Sequence, residues 1–152
     1  MLRERNKMKY EFLDHTADMK FRAYGNNLES AFENAALATF SILIEPDNVF
    51  AKQEHKISIT SKTKDSLLYD FIEEILFLLD TEGFVLSKIE KLTITSLEGE
   101  LNLSCIVYGD SFKNYNTITG NIKSVTYNDM LINEKFSKEK DKKVMLQVVV
   151  DL

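Results

Sequence analysis

Hydrophobic and polar positions change period several times along this chain, and each change marks an element. Residues 9–14 alternate weakly, with Tyr10 and Phe12 on one side. Residues 19–24 alternate cleanly: Met19, Phe21 and Ala23 face one way, Lys20, Arg22 and Tyr24 the other. That period of two predicts a strand with one wet face. Gly25-Asn26 then opens a helix, with Asn26 as its cap and Glu29 three residues on. Leu28, Phe32, Ala35, Ala36, Phe40 and Leu43 recur at helical spacing, with Glu29 and Glu33 nearer the wet side, and Pro46 is the stop. Lys56–Thr60 reads as a strand. A second helix runs from about Asp65 to Asp80, with Leu68, Phe71, Ile72, Ile75, Leu76 and Leu79 as its apolar set. Tyr69, Asp70, Glu73 and Glu74 form its opposite edge.

The remainder reads as antiparallel sheet. Phe84–Leu86 begins a strand that continues through Ile89, Leu92 and Ile94, and Glu98-Gly99 turns it into Leu101–Tyr108. Ile122–Tyr127 and Met130–Ile132 form a bent strand or a strand pair. Val144–Val150 is the last strand, and its apolar run, interrupted by Gln147 alone, implies burial on both faces. The fold class is therefore α+β: two amphipathic helices packed on a largely antiparallel (mixed) β-sheet, in a two-layer single domain.

Composition narrows the picture without changing it. At 152 residues the chain is one domain long. Met1–Lys7 is basic with no apolar stretch behind it, so residues 1–8 read as a flexible N-terminal extension and 9–152 as the domain. No apolar run approaches the roughly 20 residues a membrane helix needs. The net charge of −5 argues against tight, independent nucleic-acid binding and leaves room for a basic protein partner. The single cysteine, Cys105, has no internal partner for a disulfide and suits a reducing cytoplasm, as a small hydrophobe in a strand. The mixed run Lys138–Lys143 reads as a solvated turn between two strands.

Asp14-His15-Thr16-Ala17-Asp18 gathers two carboxylates and an imidazole into the connection between the first two strands, and Asp151 follows the last one. The chain has no Gly-rich phosphate loop, no cysteine pair and no serine-hydrolase elbow, and two histidines, His15 and His55, are too few for a zinc site of the usual kind. Asp14, Asp18 and Asp151 have the hard oxygens that Mg²⁺ and Ca²⁺ prefer, and a carboxylate on Leu152 would add another. Equally, Asp14 and Asp18 can be turn formers bonded to their own backbone, Asp151 can simply end a strand, and a lone histidine is most often structural. Spacing alone favours this second reading.

The chain resembles the archease family. The matching stretches are Asp14–Asp18, Ala23–Gly25, Leu28–Ala38, Leu67–Asp70, Asp80–Gly83, Ile122–Tyr127 and the closing Val150-Asp151-Leu152, in the family's order and spanning nearly everything from Met8. The resemblance implies a small cytoplasmic protein of tRNA splicing. It would assist the GTP-dependent RNA-splicing ligase that joins 2′,3′-cyclic-phosphate or 3′-phosphate ends to 5′-hydroxyl ends, promoting guanylylation and multiple turnover. On this view the chain is an activator rather than an enzyme, with a protein partner, only indirect contact with RNA, and no membrane. It also implies a divalent-cation site, for Ca²⁺ or Mg²⁺/Mn²⁺, which falls on Asp18, Asp151 and Leu152, with Asp14, His15, Lys123 and Asn128 in support. Two positions depart from the family's habit: Asn128 and a position near Asn116 stand where histidine is frequent, and Asn cannot cycle a proton near neutral pH. Two rival readings follow from the same residues. One is a chaperone or modulator of nucleic-acid-processing proteins, which calls for an exposed apolar patch. The other is a metal-dependent phosphoester hydrolase, which calls for more clustered ligands than the chain displays.

Overall fold

The structure, a computed structural model, describes residues 9–13, 18–118 and 120–152. The expected extension over 1–8, and Asp14 to Ala17, lie outside the described residues. Among the described residues, seven strands and two α-helices follow in the order β1 (Tyr10–Leu13), β2 (Met19–Gly25), α1 (Leu28–Ser41), β3 (Gln53–Ser61), α2 (Lys64–Glu82), β4 (Phe84–Leu97), β5 (Glu100–Ser111), β6 (Ser124–Asn133) and β7 (Val144–Asp151). The α+β class stands, with one refinement. The strands divide into two antiparallel sheets, β1-β2-β7-β6 and β3-β5-β4. The helices join them: α1 packs on β2 and β7 of one sheet and β4 of the other, and α2 on β6, β3 and β5.

Helix α1 starts one residue later than its sequence cap suggests. Asn27, not Asn26, is the cap: its side-chain oxygen accepts from Ser30 N at 2.8 Å, and Asn27 N donates to Ser30 Oγ at 3.2 Å. Ser30 thus does the work expected of Glu29, because a hydroxyl at the third helical position also reaches back to the cap N–H. Gly25 packs so closely on Ala31 and Ser30 that a Cβ there would collide with them, and this fixes the chain's approach to the cap. The helix also stops before Pro46, at Ser41. Thr39 and Ser41 turn their hydroxyls back onto the carbonyls of Ala35 (2.9 Å) and Ala38 (2.6 Å), a local alternative to further helix. Leu43 and Ile44 are buried beyond its end, and Pro46–Asn48 forms a short 3-10 turn.

Helix α2 carries the heavier load. Thr63 and Ser66 make a reciprocal cap, and Gly83, at φ 68°, closes the helix in the left-handed region. Leu67, Leu68, Phe71, Ile72, Ile75 and Leu76 are buried, while Leu79 is half-buried. Each of those six side chains stabilises by roughly 1.5–3 kcal/mol before entropy is subtracted.

Strand β7 is buried from Val144 to Val150, as its apolar run implies, because it lies inside its sheet with neighbours on both edges. Val144, Leu146, Val148 and Val150 join the main core beneath the helices. The opposite face is not simply wet, and here the alternation in β2 misleads. Tyr24 is 3% exposed, with Phe136 at 5.6 Å between ring centroids and Lys142 Nζ 5.0 Å over its ring. The connection between β6 and β7 folds back over this face, an effect no local period can signal. Strand β6 resolves the choice left open above: it is one strand, kinked between Thr126 and Leu131, where Asp129 takes φ 58°.

Candidate functional site

The site is built where β2, β7 and β6 end together. Met19 pairs with Val150 as the last pair between β2 and β7, and Asp18 and Asp151 are the next residues beyond it on their two chains. On the other edge Asp151 pairs with Ser124, and Lys123 N donates to Asp151 O at 2.8 Å. The main chain of Asp151 is therefore fixed from the β6 side. Its half-buried carboxylate meets Ser124 Oγ at 3.5 Å, the outer limit of a hydrogen bond. Leu152 follows, exposed.

Helix α2 supplies the neighbouring wall. Glu73 Oε1 accepts from Val125 N at 2.9 Å, tying the start of β6 to the helix. Tyr69 of α2 stacks on Tyr127 of β6, with ring centroids 4.3 Å apart and planes 9° from parallel. Burial pushes the Tyr69 phenol up from its ordinary range, reinforced by the charges of Glu73, Asp70 and Asp151. Tyr127 is raised in the same way, by burial first and then by Asp70, Tyr69 and Asp65. Both phenols thus stay protonated near neutral pH and act as donors. The negative charge of Asp151 reaches the face of α2.

Asp18, Asp151 and Leu152 all lie just beyond the last β2–β7 pair, at one end of the sheet, and the backbone of Lys123 is bonded to Asp151. Asn128 lies in the kink of β6, exposed, where its N–H donates to Thr126 Oγ1 at 3.1 Å. Asn116 is exposed just beyond Tyr115. Asp14 and His15 fall outside the described residues. His55, the other histidine, packs edge-on against Phe84 with Nε2 4.0 Å from Glu82, at the C-terminal end of α2. Cys105 is buried, and burial together with the charge of Glu33 lifts its thiol to about 12, so it behaves as the small hydrophobe expected.

Among the described residues no group of three or more His, Cys, Asp or Glu side chains is gathered to hold a metal ion. The two aspartates nonetheless fit a hard divalent cation by donor chemistry. Carboxylate oxygens are the donors such a cation prefers, and Ca²⁺ or Mg²⁺ fills the rest of its shell with carbonyl and water oxygens. Zinc sites usually carry histidine or cysteine as well, which neither aspartate supplies.

Sequence reasoning missed the coupling of Tyr69 with Tyr127. The signal was half present, since Tyr69, Asp70, Glu73 and Glu74 already stood on one edge of a helical pattern. It also missed Asp110, a buried carboxylate near the end of β5 that accepts from Ser111 N (2.8 Å), Asn114 Nδ2 (3.0 Å) and Tyr115 OH (2.8 Å).

Comparison with known proteins agrees with this architecture. Residues 10–152 match the model of the Archease protein family. The chain is 37% identical to the archease of Methanosarcina mazei over 145 residues, covering 95% of this chain and 96% of that one. It is 38% identical to the archease of Methanothermobacter thermautotrophicus over 143 residues, 94% and 98% of the two chains. With a Drosophila melanogaster archease-like protein it shares 38% over 127 residues, 82% and 80% of the two. The solution structure of Methanobacterium thermoautotrophicum protein 1598 superposes with a TM-score of 0.77 at 36% identity, covering 95% of this chain and 99% of that one. The chain belongs to the archease family.

Proposed function

We propose that this protein is an accessory factor of a GTP-dependent RNA-splicing ligase in tRNA splicing, raising the ligase's guanylylation and its multiple turnover rather than catalysing a reaction itself. Family membership supports the reading. The observation that supports it is the register of β2 against β7: Met19 pairs with Val150, so Asp18 and Asp151, more than 130 residues apart in sequence, both follow the last pair at one sheet end. In this reading Asp18, Asp151 and Leu152 would hold a divalent cation, Ca²⁺ or Mg²⁺/Mn²⁺, which when bound supplies positive charge for nucleotide phosphates. The chain's own part is presentation. Strand β6 and the Lys123 N–H hold the backbone of Asp151 so that its carboxylate keeps one position while the partner approaches. The partner is a protein, RNA is met only through it, and a reducing cytoplasm suits the buried thiol of Cys105. In the described residues no helix is long and apolar enough to cross a membrane.

The test is multiple-turnover ligation of a 2′,3′-cyclic-phosphate end to a 5′-hydroxyl end with GTP, with and without the protein. Stimulation is expected, and equal rates would sink the reading. Asp18→Asn and Asp151→Asn are each expected to lose most of the stimulation while unfolding at the wild-type denaturant midpoint. Calorimetric titration with Ca²⁺ and with Mn²⁺ separates the cation from the rest: heat that vanishes in both variants supports the site, and heat unchanged by either refutes it.

A further inference from the structure

We propose that the outer face of α2 is a docking surface for an arginine-bearing, basic segment of a partner protein. The face runs between β6 on one side and β3 on the other. At one end the Tyr69–Tyr127 stack leaves Tyr127 53% exposed. At the other, an open groove of about 430 Å³ is lined by Ile59, Thr60, Asp70, Glu73, Glu74 and Phe77, with Phe77 59% exposed. Exposed aromatics rimmed by polar groups mark interaction sites, and aromatic anchors carry much of the energy when they are covered.

The rim decides the occupant. Asp65, Asp70, Glu73 and Glu74 all belong to this helix, and the charges of Asp65 and Asp70 act on the Tyr127 hydroxyl. A stacked tyrosine pair beside carboxylates matches a guanidinium better than an ammonium. The planar cation lies on the ring face while its fork reaches a carboxylate; lysine offers a compact charge and no plane to stack. Tyr69 and residue 77 are eight helical positions apart, roughly 12 Å along the axis. Four or five residues of extended chain therefore span the face, with an arginine over Tyr127 and an apolar side chain against Phe77. The face is also continuous with the candidate site, since Asp151 lies close enough for its charge to act on Tyr69. Naming the partner rests on the reading above: there the segment belongs to the RNA ligase, whose RNA-binding surface is basic by necessity.

Two measurements test this and fail separately. The first is the affinity of the intact protein for the purified ligase. Tyr127→Ala and Phe77→Ala are expected to weaken it about tenfold each, Glu74→Gln by a few fold, and Tyr127→Phe hardly at all. All three positions are exposed, and unchanged thermal midpoints establish that the variants fold. The second uses labelled hexa-arginine and hexa-lysine peptides. Arginine is expected to bind several-fold tighter, with the preference lost in Tyr127→Ala and kept in Tyr127→Phe. Variants that bind and stimulate the ligase like wild type overturn the docking face and leave the ligase reading intact. A wild-type protein that ignores the ligase yet prefers arginine through Tyr127 does the reverse. Equal affinity for both peptides, indifferent to Tyr127, overturns the proposal outright.

Discussion

Two aspartates at strand ends make opposite use of the same side chain. Asp110, near the end of β5, is 2% exposed, and its carboxylate accepts three hydrogen bonds between 2.8 and 3.0 Å from Ser111, Asn114 and Tyr115. Burial pulls its pKa upward, but these donors, helped by Lys52, outweigh it and hold the carboxyl below its usual range. Tyr115 extends the web by accepting from Phe50 N at 2.9 Å, so one carboxylate ties β5, the 3-10 turn Phe112–Asn114 and the segment before β3 together. Asp151 is the converse. Its backbone is paired with β6 and bonded by Lys123 N, while its carboxylate meets Ser124 at 3.5 Å. A buried acid whose lone pairs are filled by its own chain is committed to the fold. One whose backbone is fixed and whose carboxylate is lightly engaged is positioned for something outside.

The largest effect that separates the two is on stability. Asp110→Ala leaves three donors without their acceptor, and a loss of about 2–4 kcal/mol in urea denaturation is expected. Asp151→Ala is expected to stay within about 0.5 kcal/mol of wild type in the same experiment. Equal losses would break the comparison and return Asp151 to a structural role. Tyr115→Phe sharpens it: removing one donor to Asp110 and the acceptor for Phe50 N is expected to cost about 1–2 kcal/mol.

The legibility of the two regions differs for the same reason. Period, capping residues and the apolar run Val144–Val150, interrupted by Gln147 alone, are local signals, so both helices, the Glu98-Gly99 turn and the buried last strand could be read directly. The turn is seen in the left-handed φ of both residues. The cap slipped from Asn26 to Asn27 because both are good caps and only the packing of Gly25 on Ala31 separates them. Tyr24 was misjudged because its cover, Phe136, arrives from more than 100 residues away. Asp18 stood out in the sequence as part of a polar cluster between two alternating runs and Asp151 as the end of an apolar one, but that both follow the Met19–Val150 pair is a property of register. Asp110 gave no signal at all: its partners Ser111, Asn114 and Tyr115 are ordinary loop residues until the 3-10 turn aims them at one carboxylate.

Acid provides a third, smaller discrimination. A carboxyl whose folded pKa is depressed binds fewer protons folded than unfolded, so its stabilisation is present above the unfolded value and is lost as pH falls through the folded one. The advantage of the wild type over Asp110→Asn is therefore expected to shrink below about pH 4 and to be constant above about pH 5. Thermal midpoints measured across pH 3–7 for both proteins check this. An advantage that stays constant into strong acid would mean that the hydrogen bonds to Asp110 do not distinguish its charged form.

Ser124→Ala is the smallest change and the closest probe of Asp151. The substitution removes a single contact at the limit of hydrogen-bonding distance. It leaves the pairing of Ser124 with Asp151 through the backbone, and the bond from Lys123 N to Asp151 O, untouched. The expected change in stability is therefore below about 0.5 kcal/mol. Alanine also keeps the strand's path, so the Asp151 carboxylate stays where β6 puts it, and ligase stimulation is expected to survive. A loss of more than about 1 kcal/mol in urea denaturation would show that Ser124 anchors Asp151 much as Tyr115 anchors Asp110. The carboxylate at the end of β7 would then belong to the fold as fully as the one at the end of β5, and the case for an outside ligand there would have to rest on Asp18 alone.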